Sequence, residues 1–527
     1  MRILGIKEGH DGGIALIDDR ELVFCLEAEK DSFVRCSEVT AELFHRAASL
    51  AAAPPDVIAI GGWVKGTKSH ERQSLSGYFG TGPGSFQLFD SSFFGSPVKA
   101  FSSTHERSHI WNAYGMAPFP QGEPCHILVW EGNIGNFYTV DTKLHIHNHG
   151  RVLTDPGNKY TFLYSLADAA SPSRLGFWDT SHPGKLMALA AYGHRGRMTP
   201  DEHATADFIL SRDPIMTTTT KDDLLWSPIH NVGIETQAFK DMAAKFTDVI
   251  FDQFYKFAVE RLRGGLPLLI AGGCGLNCEW NSKWRDSGLF SDVFVPPCCN
   301  DSGSAVGTAV DAMRELTGNA KLSWTVYAGE EFIRDCEPST AMFIKRQYDP
   351  CLVADLIASG GIIAWVEGRY EIGPRALGHR SLLAEPFNRS TRDRLNRIKQ
   401  RESFRPIAPI CLNDDVAREF DPDSPSPHML YFYHVKNSAL KAVTHVDGSA
   451  RVQTVTREAA PRLETLLREF RQRTGTSVLC NTSLNFHHRG FINRMSDLAE
   501  YCYSKSIDAM VVNGELYQLL QNPEGGH

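Results

Sequence analysis

The chain of 527 residues is too long for one hydrophobic core and predicts two or three domains. With 42% hydrophobic and 22% charged residues and a net charge of -8, it has the composition of an ordinary globular protein and no long basic block. General nucleic-acid binding is therefore not expected, and no apolar run approaches the roughly 18 residues of a membrane span, so no membrane partner is expected either.

The opening stretch MRILGIKEGHDGGIALIDD reads as strand, glycine turn and strand, and its charges are not those of a signal-peptide core. A cytoplasmic location is the expectation. The 12 cysteines are scattered, and neither Cys274 with Cys278 nor Cys298 with Cys299 has zinc-knuckle spacing, which predicts reduced thiols. Further strand-like runs follow as ELVFCLEAE, DVIAIGGW, HILVWEG, NFYTVDT, LPLLIAGG and DVFVPP, with a helix over 238–264. Strands ending in glycine turns and separated by helices predict an α/β architecture.

In FSSTHERSHIW the order His105-Glu106-Arg107-Ser108-His109 reproduces the H-E-x-x-H of zinc peptidases. A helix starting near Ser103 or Thr104 puts both histidines on one face, where they can share an ion. A five-residue pattern also fits two helix histidines with ordinary hydrogen bonds, and a peptidase leaves the later arginines without a use. Glu106 reads as a first-turn acid suited to the helix dipole, so that Glu106→Gln is expected to keep most activity.

Regularity thins over 315–345, which reads as a connection between domains over 1–345 and 346–527. Beyond it LVADLIASGGIIAWVEG reads as helix, glycine cap and buried strand. Positive charge then gathers beside Gly and Pro: Arg369, Arg375 and Arg380 in GRYEIGPRALGHRS, Lys399, Arg401 and Arg405 in RIKQRESFRPIAP, and Arg451 in HVDGSARVQTV. Such loops can converge on phosphate groups. Each arginine taken singly also fits a solvated or ion-paired side chain.

These loops, followed by NTSLN, occur in the order found in the antibiotic and nodulation-factor O-carbamoyltransferases, which the chain resembles. GHDGGIALIDD with LEAEKDSF, THERSH, HPGKLMALAAYG, AGGCGLNCEWNSK and VPPCCNDSGSAVGTA resemble the family's earlier motifs, so the likeness runs over nearly the whole length. It implies an actin-like ATPase (ASKHA) domain over 1–345 followed by a YrdC-like α/β domain over 346–527. ATP, with Mg(II) accompanying it, and carbamoyl phosphate would form carbamoyl adenylate in the second domain. The first would pass the carbamoyl group to the hydroxyl of a small natural product, such as a cephem 3-hydroxymethyl or an antibiotic sugar.

The resemblance assigns Arg375, Lys399, Arg405, Arg451, Asn481 and Asn485 to carbamoyl phosphate and ATP. It places Lys185, Gly272, Gly273 and Asn277 along the adenylate, and His10 and Asp11 at the reacting carbon. Arg380 and Arg401 are set aside as structural, with Glu371 and Glu402 as expected partners. The metal set is His105, His109, Glu131 and Asp301, with iron(II) or a similar divalent ion implied; Glu131 stands where the family usually has Asp. Threonylcarbamoyl-tRNA synthesis, hydrogenase maturation and a non-catalytic actin-like ATPase module are the alternatives. A homodimer is compatible with all of them.

Overall fold

The computed structural model describes residues 1–64, 73–174, 181–487 and 489–520. Contacts divide the chain into two compact units: Met1–Asp56 with Ser323–His527, and Val57–Leu322. The structural division therefore falls elsewhere than the expected boundary at 345.

The reason lies in the segment read as a connection. Strands Arg2–Lys7, Gly13–Asp18 and Glu21–Glu27 form an antiparallel meander. Against its last strand the backbone from Ser323 onward hydrogen-bonds, with Leu22 N donating to Ser323 O at 2.9 Å and Cys25 N to Ala328 O at 2.8 Å. Arg369 then donates to the carbonyls of Val23, Ala328 and Gly329. Buried Lys30 donates to Glu27 at 2.8 Å and to the carbonyls of Glu371 and Gly373. A buried ammonium needs such partners, so the amino-terminal residues and the GPRALG loop are tied in one network.

The rest of this unit is an eight-stranded mixed sheet, in order Phe343–Gln347, Glu515–Leu519, Ala509–Val512, Ile363–Val366, Arg380–Ala384, Leu479–Ser483, Ala408–Leu412 and Gln453–Val455. Its strands Ile363–Val366 and Ala408–Leu412 are buried at every position, hence their unbroken apolar runs. Helices Pro350–Ala358 and Pro461–Thr474 cover one face, through Ile357, Leu463, Leu467 and Phe470. Arg389–Ile398 and Met495–Ser504 cover the other, through Leu395, Leu498 and Tyr501.

In the second unit Val57–Gly61 runs parallel to Ser96–Ser103, which pairs antiparallel with Phe86–Phe93. A five-stranded sheet follows, in order Ile146–Arg151, Gly135–Val140, Cys125–Trp130, Leu268–Ala271 and Val293–Phe294. The helix expected over 238–264 is Gln237–Arg261. No helix among the described residues is long and apolar enough to cross a membrane. All 12 cysteines are free thiols, as their spacing predicts.

Candidate metal centre and anion site

Helix His105–Met116 is buried at every position, and Thr104 caps it by accepting from Arg107 N at 3.2 Å. It lies against helix Ser304–Thr317 at backbone contact distance. A Cβ on Gly307 would stand 1.8 Å from Ser108 O, and one on Gly115 would stand 2.9 Å from Val310. Glycine at these two positions is therefore what lets the helices meet. Arg107 fixes their register by a bidentate pair with buried Asp311, Nε to Oδ2 at 2.8 Å and Nη2 to Oδ1 at 2.6 Å.

That register brings the expected metal set together. Atoms of His105, His109, Glu131 and Asp301 all lie within 4.8 Å of one another, and all four residues are buried. The Nε2 atoms of the two histidines are 3.1 Å apart, and Asp301 Oδ1 is 3.5 Å from the first and 3.4 Å from the second. Ligand atoms sharing one ion at about 2.1 Å stand roughly 3.0–3.4 Å apart, so these separations fit a divalent transition ion bound by nitrogen and oxygen. Rings of Trp63 and Tyr78 enclose His105, with centroids at 4.9 and 4.5 Å.

Glu131 follows strand Cys125–Trp130, and its extra methylene is taken up by a fold back onto its own loop. Its Oε1 accepts from Asn133 N at 3.2 Å and Ile134 N at 3.0 Å, while Tyr78 Oη lies 3.0 and 3.1 Å from its two oxygens. Burial and then the Asp301 charge push its carboxyl up to about 7. Two acids crowded in a dry site call for a compensating cation.

Glu106 is the first-turn acid of this helix and has a further role. It is buried, its Oε2 accepts from Gly80 N at 2.6 Å, and its Oε1 accepts from Tyr138 Oη. Beyond its first-turn position it clamps the helix to Gly80 and to strand Gly135–Val140.

Of the residues expected along the adenylate, Gly272 has φ +94°, and a Cβ there would lie 2.3 Å from Trp130 O, whereas the Cβ position of Gly273 opens on free space. Asn277 caps helix Cys278–Asp286 by accepting from Glu279 N and Trp280 N. Lys185 is half-buried on helix His182–Ala190, 6.0 Å from the Tyr164 ring.

In the other unit, the carboxyl-half loops converge at the ends of the eight-stranded sheet. Lys399 is buried and donates to Ser483 O at 2.6 Å, to Asn485 O at 3.1 Å and to Asn485 Oδ1. Burial, with Arg401 and Arg405 nearby, pushes its ammonium well below the usual lysine range. Arg401 is lowered to about 9 by burial and then by Arg405 and Arg451. Arg405 is lowered by burial against the pull of Glu402, with Arg375 and Arg35 adding positive charge. Asn481 donates to Ala376 O at 3.1 Å and to Gln453 at 2.7 Å.

Arg380 and Arg401 are built into the fold, with Glu371 and Glu402 acting on them electrostatically and with amide and carbonyl oxygens accepting from them. The Arg380 guanidinium donates to Asn493 and to the carbonyls of Glu367, Gly368 and His379, while Glu371 accepts the amides of Leu377, His379 and Arg380. Arg401 Nε donates to Asn396 at 2.6 Å.

His10 and Asp11 occupy the turn after Arg2–Lys7 and belong to this same unit. His10 Nδ1 is 3.4 Å from Asp11 Oδ2, and buried Lys7 holds the turn through the carbonyls of Glu8 and His10 at 2.7 and 3.0 Å. Arg35, paired with Glu29 at 2.7 Å, bears electrostatically on both Asp11 and Arg405. Sequence reasoning passed over Lys7 and Arg35. A lysine at an inward position of the strand RILGIK was the available signal for the first; no local signal marked the second.

The family description Carbamoyltransferase N-terminus matches residues 96–310, and Carbamoyltransferase C-terminus matches 354–518. The 3'-hydroxymethylcephem-O-carbamoyltransferases of Streptomyces clavuligerus and Amycolatopsis lactamdurans are each 47% identical to this chain, over 98% of it and 99% of their own length. Nodulation protein U of Rhizobium tropici is 35% identical over 98% of the chain and 96% of its own. Among solved structures, Ta0583, an archaeal actin homolog, covers 60% of the chain and 100% of its own at 10% identity and a TM-score of 0.28, too low to carry argument. With both halves matched and nearly its full length shared with these relatives, the chain belongs to the carbamoyltransferase family.

Proposed function

We propose that the protein is an O-carbamoyltransferase acting through carbamoyl adenylate on the hydroxyl of a small natural product, with a 3-hydroxymethylcephem as the first acceptor to test. The observation that carries the chemistry is the cluster of buried Lys399 with half-buried Arg401 and Arg405, where burial first and then neighbouring positive charge lower proton affinity. Such a cluster is costly until anions enter it, and two phosphorylated co-substrates are the anions that this chemistry supplies. The cephem relatives, at 47% identity, support the acceptor class.

Carbamoyl phosphate, ATP and water would give carbamoyl adenylate, phosphate and pyrophosphate. Lys399 would serve as a point charge, its three donors being taken by Ser483 and Asn485, while Arg375, Arg405 and Arg451 hold phosphate oxygens and Asn481 and Asn485 set the loop. We assign Gly272, Gly273, Asn277 and Lys185 to the adenylate and keep residues 346–527 as the adenylate-forming part, YrdC-like, beside an actin-like transfer part over 1–345. The acceptor oxygen would attack the carbamoyl carbon and release AMP. His10, oriented by Asp11, would take the hydroxyl proton.

His105, His109, Glu131 and Asp301 would hold a divalent ion, iron(II) being the first to try. Bound there, it supplies Lewis acidity toward a phosphate or carbonyl oxygen. The test is incubation with ATP, carbamoyl phosphate and iron(II), with and without the cephem. Carbamoyl adenylate in the first case and AMP with carbamoylated cephem in the second are expected. ATP hydrolysis to ADP that ignores carbamoyl phosphate would overturn the reading. His10→Asn is expected to stop transfer and spare adenylate formation; equal loss of both would remove the assignment of His10.

A further inference from the structure

The backbone around Tyr78 is stitched to the start of the helix that carries both candidate metal-ligating histidines. His105 N donates to Gly77 O at 3.2 Å and Glu106 N to Tyr78 O at 3.0 Å, which satisfies two of the amides that a helix start leaves unmet. Gly80 closes the link from both sides, its N donating to Glu106 Oε2 and its O accepting from Thr104 Oγ1, each at 2.6 Å. A Cβ on Gly62 would lie 2.2 Å from Gly77 O, so the residue after strand Val57–Gly61 has to be bare for this backbone to seat there.

From that fixed backbone the buried Tyr78 side chain touches two members of the metal set at once. Its ring lies against the His105 ring, with centroids 4.5 Å apart, and against Trp63 at 5.3 Å. Its Oη meets both Glu131 oxygens, at 3.0 and 3.1 Å. The hydroxyl has a single proton to give. Asn133 Nδ2 donates to Oη at 3.2 Å, so that proton is directed to the carboxylate, which when ionised can only accept. Asn158 Nδ2 donates to Asn133 Oδ1 at 3.3 Å and thereby sets the Asn133 amide the right way round. The amides of Asn133 and Ile134 both fall on Glu131 Oε1. Among the described residues, Oε2 therefore has the Tyr78 hydroxyl as its one hydrogen-bond partner and keeps a lone pair for an ion.

We infer that Tyr78 is a positioning residue of the metal centre, setting Glu131 through its hydroxyl and His105 through its ring. The inference rests on the reading that His105, His109, Glu131 and Asp301 hold a divalent ion. It also accounts for a glutamate at position 131. An aspartate carboxyl would stand one C–C bond, about 1.5 Å, farther back, and a hydroxyl that meets the glutamate at 3.0 Å would no longer reach it. Tyr78 and Glu131 are thus a matched pair, and hydrogen bonds of this kind behind a ligand fix its orientation and tune metal affinity.

The test uses the full chain, freed of metal by chelator and titrated with Co2+, whose visible absorption reports the geometry of its ligands. Tyr78→Phe keeps the ring and removes the hydroxyl. It is expected to bind Co2+ at least about tenfold more weakly than the wild type, with a shifted visible band and an unchanged far-UV spectrum. In Glu131→Asp the hydroxyl has no carboxylate within reach, so Glu131→Asp/Tyr78→Phe should bind no more weakly than Glu131→Asp. Wild-type affinity and band in Tyr78→Phe, or an equal loss from Tyr78→Phe in both backgrounds, overturns the proposal. His109→Ala should lose Co2+ altogether; full binding by that variant overturns the metal set on which the proposal rests.

Discussion

Glu106 is the residue whose role changes most between one dimension and three. As a carboxylate it accepts from an amide and a phenol; as a glutamine it would turn an N–H toward one of these donors. Leaving a buried donor unmet costs about 1–3 kcal/mol, so Glu106→Gln is expected to lower the denaturant midpoint by a corresponding amount. An unchanged midpoint would sink this account of the clamp. His109 is the complementary case. His109→Ala should abolish tight metal binding, read by elemental analysis of the purified protein, with the far-UV spectrum kept. The histidines were legible because H-x-x-x-H is local. The clamping contacts of Glu106 were not legible because its partners Gly80 and Tyr138 are far along the chain.

Two elements set the candidate metal centre: the helix that carries its histidines and the helix behind Asp301. Their closeness depends on Gly307, where a methyl would meet Ser108 O at 1.8 Å. Gly307→Ala must push the helices apart or bend one, at a cost of about 1–3 kcal/mol, and move His105 and His109 away from Asp301. Loss of metal together with a lower melting temperature is expected; full metal content in Gly307→Ala would refute the packing argument.

The GPRALG loop makes a second prediction, in pH. His379 stacks on Tyr327 with centroids 3.4 Å apart and bonds Arg369 O through Nδ1 at 2.7 Å. Burial above all, with Glu371 and the carbonyl pulling the other way, lowers it to about 4. The unfolded chain takes that proton near pH 6.5, so between about 6.5 and 4 unfolding binds a proton and stability falls as pH drops. Urea midpoints at pH 7 and pH 4.5 should differ less in His379→Phe than in the wild type.

At the scale of the whole molecule, the unit formed by Met1–Asp56 and Ser323–His527 means that the carboxyl half is not self-sufficient. Lys30, Glu27 and the strand Glu21–Glu27 fill hydrogen bonds that Gly373, Glu371 and Ala328 would otherwise leave to water. Residues 346–527 expressed alone should show weak near-UV signal and bind a hydrophobic dye, and adding 1–56 with 323–345 should restore order. A cooperative, native-like melt of 346–527 alone would refute this dependence.

Much of this was open to reading in one dimension. Strand runs, glycine turns, the histidine pair and the arginine loops are local patterns, determined by side-chain alternation and by residue types that phosphate or metal chemistry demands, and their order along the chain was enough to point to the family. Tertiary structure alone decided the rest. It alone could decide that the first 56 residues belong with the last 205, because backbone hydrogen bonds between distant segments leave no local mark. It also decided that Arg369 and Arg380 reach main-chain carbonyls, and that Asp141 faces two histidines across a turn, since both depend on register and burial.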